Sequence, residues 1–235
     1  MTNSKYQPTQ EEKLFLKYYQ GLIQETTYAR AHFKLWERLE DSIVEYQHEL
    51  NEARHFFNLT IKSHLDDAIL TISRILDTDE ESLSIWKFLC FVEQNISIFS
   101  MQSFQKHTMK SEFHKELINN HLPITLEEIQ KHRKDLDNLK QVMDKIKKWR
   151  DKRLAHLDRA FLLKGKNIKF QRQQFNLIID TIAHILNKYS SAYNASSWSI
   201  QFVDENDVQG ILDAVRFRKN TRKKQIEALR LTTPK

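Results

Sequence analysis

Apolar residues recur along most of this chain at alternating spacings of three and four, the period of a helix buried along one face. The clearest run is Trp36, Leu39, Ile43, Tyr46, Leu50, Ala53 and Phe57, continuing through Ile61, Leu65, Ile69, Ile72 and Leu76. A stripe this long predicts two helices with one break near His48 to Glu52. Upstream, Thr9-Gln10-Glu11-Glu12 has the capping-box pattern, a hydroxyl followed three residues later by a glutamate that reaches back. A helix carrying Leu14, Tyr18, Leu22 and Ile23 is expected to start there, with Gly21 loosening it. Thr78-Asp79-Glu80-Glu81 repeats the pattern and should open a helix through Trp86, Leu89 and Val92. Thr125-Leu126-Glu127-Glu128 repeats it again and should open the longest helix, to about Leu163, with Gly165 as its terminator. Further helices are expected over about residues 171–193 and 204–231, with a loop over 194–203. Between residues 95 and 124 the pattern is weakest. Ile96-Ser97-Ile98-Phe99-Ser100-Met101 alternates like a strand but sits among helices, so it reads as helix or irregular chain, and Pro123 marks a loop.

Composition supports an all-α chain. Its 235 residues include only three glycines and three prolines, too few for the tight turns that a sheet protein of this length needs. Hydrophobic residues make up 40%, enough for a core, so the chain is not disordered as a whole. There is no Pro/Gly/Ser-rich linker and no internal repeat. The sole cysteine, Cys90, lies in the apolar run Leu89-Cys90-Phe91-Val92 and is expected to be a buried thiol, in keeping with a reducing compartment. No apolar run is long enough to span a membrane, and Met1-Thr2-Asn3-Ser4-Lys5 lacks the apolar core of a signal peptide, so a cytoplasmic location is expected. The net charge of +6 permits nucleic-acid binding without demanding it.

One segment concentrates candidate chemistry: Trp149-Arg150-Asp151-Lys152-Arg153-Leu154-Ala155-His156-Leu157-Asp158. The stripe Leu136, Leu139, Met143, Ile146 extrapolates onto Arg150, Arg153 and Leu157, so two arginines stand where the pattern asks for Leu or Ile. A guanidinium stays charged, and burying it unpaired is costly, so each needs an anionic partner or a wet cleft. His156 flanks the same face, and Lys152 precedes it by one turn. Arg150 and His156 are about a third of a turn out of alignment, a gap that a two-fold axis between copies would close. Cleaving RNA without a metal needs a base for the 2′-hydroxyl, an acid for the leaving oxygen and positive charge for the phosphorane. Histidine suits the first two and arginine the third. The competing reading is structural: the arginines pair with acids on a neighbouring helix and His156 is an ordinary histidine.

Elsewhere the signals are weaker. His107, His114 and His121 are spaced by seven, whereas metal ligands on one helix sit three or four apart. With no His-Glu-x-x-His and no cysteine pair, no metal and no cofactor is expected, and the lack of a glycine-rich phosphate loop argues against nucleoside-triphosphate hydrolysis. Arg216-Phe217-Arg218-Lys219-Asn220-Thr221-Arg222-Lys223-Lys224 packs six bases into nine residues. Arg216, Arg218, Lys219, Arg222 and Lys223 could track a phosphate backbone and Phe217 could stack on a base, or the run is a solvated helix face.

Arg150-Asp151-Lys152-Arg153-Leu154-Ala155-His156 resembles the signature of the HEPN superfamily: arginine, a polar residue, a few variable residues, then histidine. The wider phrase to Asp158, and a second phrase from Asp66 to Asp77 that includes Arg74, are similar to the abortive-infection (AbiU-like) branch, over about residues 25–190. The resemblance implies a HEPN-like helical domain over 25–193. It would be preceded by a helical extension over 1–24 and followed by a loop and basic helix over 194–235. It implies a homodimer with both motifs at its interface, RNA as partner, and an antitoxin or regulatory protein as a further one. By the same resemblance the chain would be a toxin or phage-defence endoribonuclease with Arg150 and His156 catalytic and Asp151 orienting them; a non-catalytic RNA- or protein-binding module of the same fold is the alternative. Lys152, Arg153, Asp158, Arg74 and Asp77 are supporting candidates. Asp67, Leu70, Arg74 and Asp77 share a helix face, an acid–base–acid set able to hold Arg150 or Lys152 or to form an ion-pair network of its own.

Overall fold

The structure, a computed structural model, describes residues 6–79, 81–151, 171–201 and 206–232. The described chain is all-α, without strands. Helix α1, Gln10–Glu45, begins on the expected capping box. Thr9 Oγ1 accepts the Glu12 amide at 3.2 Å, and the Thr9 amide donates to Glu12 Oε2 at 2.8 Å. The helix then runs unbroken through Gly21 for 36 residues, longer than the pattern suggested. Gly21 does not loosen it: a Cβ there would lie 2.8 Å from Leu83 Cδ2, so the glycine admits a close neighbour.

The long stripe breaks at both ends of the expected window. Short helix α2, Gln47–Glu52, is bracketed by Tyr46 and Ala53, whose ψ angles of 27° and 51° leave the helical region. Helix α3, Arg54–Ile75, buries Ala68, Ile69, Ile72 and Ile75. The capping box at Thr78 opens no helix. Asp77 Oδ1 accepts the Asp79 amide and Asp79 Oδ1 accepts the Glu81 amide, side-chain turns that compete with helix. Helix α4, Ile85–Gln94, starts instead behind Ser84, whose Oγ accepts the Lys87 amide at 3.3 Å.

The strand-like stretch is a 3-10 turn, Ile96–Phe99, followed by helices α5, Met101–Thr108, and α6, His114–Asn119. The turn buries the adjacent Ile98 and Phe99, so the alternation in the sequence does not carry through to burial. Helix α7, Leu126–Asp137, is capped by Thr125 as expected, but it ends far short of Leu163. The chain turns at Asn138 and Leu139 and restarts as α8, Lys140–Trp149. Beyond Asp151 that expected helix, Gly165 included, lies outside the described residues. Helix α9, Arg172–Asn194, ends on Ala195 in the left-handed region (φ 57°), and α10 covers Asp207–Thr232.

The chain divides into two compact units. Residues 1–30 and 69–200 form one, around an aromatic cluster. Phe15 meets Phe99 edge-on at 5.2 Å and Tyr193 at 4.8 Å, and Phe88 meets Tyr189 edge-on at 5.2 Å. All five rings are buried. Cys90 is exposed rather than buried, because its face of α4 points away from this core; its Sγ accepts from Arg133 Nη2 at 3.3 Å. Residues 31–68 and 201–235 form the other unit, cored by Leu39, Tyr46, Leu50, Phe57, Val208 and Leu212. There Tyr46 donates to Asp213 Oδ1 at 2.7 Å.

Candidate functional site

The approach to Arg150 is governed by the turn before α8. The Leu139 amide bonds the Leu136 carbonyl and the Val142 amide bonds the Leu139 carbonyl, both at 2.9 Å. These are three-residue steps, tighter than α-helical ones. The buried stripe therefore advances early: Leu139, Val142, Ile146 and Trp149 are inside, and Met143 and Arg150 are only half-buried. This corrects the extrapolated pattern, in which Arg150 took a core position. Trp149 takes it instead.

Arg150 keeps 26% of its side chain exposed, and its Nε and Nη2 both reach Asp151 Oδ1 at 2.7 Å. It lines a groove of about 350 Å³ formed with Ser73 of α3, Asp77 just past that helix, Trp86 of α4, and Asp144 and Lys147 of α8. Asp144, Lys147 and Arg150 follow one another at spacings of three, so they lie along one side of the helix. Such a groove offers cations to a phosphate, carboxylates to hold those cations in place, and an indole beside them.

The other candidates are spread out. Asp77 shares the groove with Arg150. Arg74 does not reach into it; its Nε and Nη2 bind Glu25 Oε2 at 3.0 and 2.7 Å, and Nη2 also bonds Thr71 Oγ1. Asp67 Oδ2 lies 3.7 Å from His32 Nδ1. Lys152, Arg153, His156 and Asp158 lie outside the described residues. Trp86, Asp144 and Lys147 were not singled out in the sequence. The two α8 residues were findable from their three-residue spacing to Arg150, whereas Trp86 read only as core.

His107, His114 and His121 do not converge. Their nearest polar partners are Glu12 Oε1 at 3.2 Å, Thr108 Oγ1 at 3.1 Å and the Ala192 carbonyl at 3.1 Å. Among the described residues no set of three or more His, Cys, Asp or Glu side chains is placed to hold a metal ion. In the basic run, Arg216 turns inward. Its Nε is 3.4 Å from Glu49 Oε1, its Nη2 donates to the Glu45 carbonyl at 3.0 Å, and its guanidinium stacks 4.0 Å over the Tyr46 ring. Lys219 pairs with Glu52 at 3.2 Å. Arg218, Arg222 and Lys223 are exposed, and Phe217 is 74% exposed. No helix among the described residues is long and apolar enough to cross a membrane.

An all-α bundle bearing Arg150-Asp151 near a groove, with a histidine six residues past the arginine, is of the HEPN class. Within it the chain belongs to the AbiU2 family, whose model matches residues 12–214. That family ties the chain to abortive infection. No curated protein and no solved structure matches it.

Proposed function

We propose that this protein is a metal-independent HEPN endoribonuclease acting as an abortive-infection effector, a toxin used in phage defence. In the reaction the RNA 2′-hydroxyl attacks the adjacent phosphorus. His156 takes the hydroxyl proton as the new P–O bond forms, and a protonated histidine supplies a proton to the departing 5′-oxygen. Arg150 stabilises the extra charge of the phosphorane, and Lys147 holds the neighbouring phosphate. Two copies related by a two-fold would supply both histidines, which fits the separate tasks of base and acid. An antitoxin or regulatory protein would restrain the activity in the cell.

The observation that carries this reading is Arg150 itself. It stands half-buried at a groove, with Asp151 as its one ion-pair partner among the described residues. A guanidinium engaged on a single oxygen has donors left for a phosphate. The test is to incubate the purified protein with RNA in EDTA beside Arg150→Ala and His156→Ala. Cleavage should fall by about a hundredfold or more in each. Equal cleavage by all three would mean a contaminant and end the proposal. A second reading, a non-catalytic binding module, is favoured by the carboxylates Asp77 and Asp144 in the same groove, which oppose a polyanion. It expects a protein partner at this groove, or RNA held elsewhere on the chain, and no cleavage.

A further inference from the structure

Helix α10 sorts its charges. Arg216 is spent on Glu45, Glu49 and the Tyr46 ring. The cations that follow it face elsewhere. Arg218, Lys219, Arg222, Lys223 and Arg230 line a groove of about 700 Å³ beside Glu52 and Ala53, with Val215 and Ile226 as its apolar part. Only Glu52 and Glu227 oppose these five cations, and Glu52 is already paired with Lys219. Arg218, Arg222 and Lys223 have no ion pair among the described residues and are exposed. Arg218 and Arg222 are four apart, as are Lys219 and Lys223, so each pair is neighbouring at about 5–6 Å, and Arg230 lies on the Arg218–Arg222 row beyond Ile226. Like charges at this spacing weaken a helix, and Arg218 and Arg222 have no ion pair among the described residues to offset it. A polyanion laid along the rows would relieve the repulsion.

We infer that the groove beside Ala53 on helix α10 binds the phosphate backbone of single-stranded RNA. Three of the five cations are guanidiniums, which hold phosphate oxygens in pairs. Val215 and Ile226 give the groove an apolar part for unstacked bases. Contact with a backbone needs no particular base sequence, so it would gather RNA without choosing it. Phe217 does not line the groove and is not needed for this contact. The inference rests on the proposed function only in naming RNA as the polyanion.

The test uses the full chain in the Arg150→Ala background with a fluorescein-labelled oligouridine, read by anisotropy across a salt series. The parent should bind, more weakly as salt rises. The pair Arg218→Glu and Arg222→Glu should bind at least about tenfold more weakly, with a log–log salt slope shallower by about 1.4, since each single-strand phosphate contact contributes about 0.7. Glu227→Lys should tighten binding. All three positions are exposed, and an unchanged circular-dichroism melt confirms that the fold is intact. Unchanged affinity in both variants overturns the inference. So does salt-independent binding, or equal competition by polyglutamate, which would assign the groove to an acidic protein. If wild type fails to cut RNA but this groove still binds it, the catalytic reading falls and the groove stands. If cutting is normal and the double variant binds as before, the reverse holds.

Discussion

Arg150 Nε and Nη2 lie at the same distance, 2.7 Å, from one oxygen of Asp151. The contact is between chain neighbours, so it fixes the guanidinium plane without help from another element. Asp151→Ala should therefore cut single-turnover RNA cleavage by about ten- to hundredfold, the value of one charge-assisted hydrogen bond. Arg150→Lys should be as poor as Arg150→Ala, because an ammonium cannot form the two-pronged contact. Full activity in Arg150→Lys would show that charge alone is enough.

Buried Glu12 ties the start of α1 to α5. Its carboxylate accepts from the Tyr6 hydroxyl, the Thr9 amide, Ser103 Oγ at 2.9 Å and His107 Nε2 at 3.2 Å. Burial works to raise its pKa, but those hydrogen bonds outweigh it and the net shift is downward. Burial also lowers the pKa of His107, against the opposing pull of Glu12. Both groups hold fewer protons folded than unfolded, so stability rises with pH wherever they differ. The His107 contribution should fade as pH falls from about 6.5, and the Glu12 contribution from about 4.3, each lost by its lower folded pKa. Urea midpoints measured down an acid series should fall, and Glu12→Gln should flatten the lower part of that fall.

Gly21 separates two opposing effects. An added Cβ would meet Leu83 Cδ2 at 2.8 Å, a clash. Leu83 is 38% exposed, however, and the atom in question ends a flexible side chain. The helix-propensity gain of Ala over Gly, about 1 kcal/mol, should win. Gly21→Ala is expected to be neutral or stabilising by up to about 1 kcal/mol in thermal unfolding. A loss of more than that would mean that Leu83 cannot move.

Leu212 is fully buried among Leu39, Tyr46, Leu50, Phe57 and Val208. Leu212→Ala should cost about 2–5 kcal/mol by chemical denaturation. Because α10 also carries the cationic groove, RNA binding should weaken with it, whereas exposed Leu229→Ala should leave stability within about 0.5 kcal/mol.

Much of the fold was readable because helices obey local rules. The boxes at Thr9 and Thr125 both cap helices, each hydroxyl accepting the amide three residues on. The box at Thr78 does not, because Asp77 and Asp79 satisfy the amides first. Cys90 misled because its neighbours are apolar, yet on a helix Leu89 and Cys90 point in different directions: Leu89 is buried and Cys90 is not. In the site, Arg150 was visible as a charge in an apolar stripe. Asp151 and Asp77 were visible too, but Ser73, Trp86 and Lys147 were not, because the groove gathers them from three different helices.

The tight turn at Leu139 has a consequence for how this arginine could be gained or lost. Which residue of α8 meets solvent is decided upstream, by where the helix restarts. One residue added at that turn would rotate everything after it by about 100° and exchange Trp149 for its neighbour in the core. In a chain built this way the length of one connection decides which side chain meets the groove, with every residue of the motif left in place.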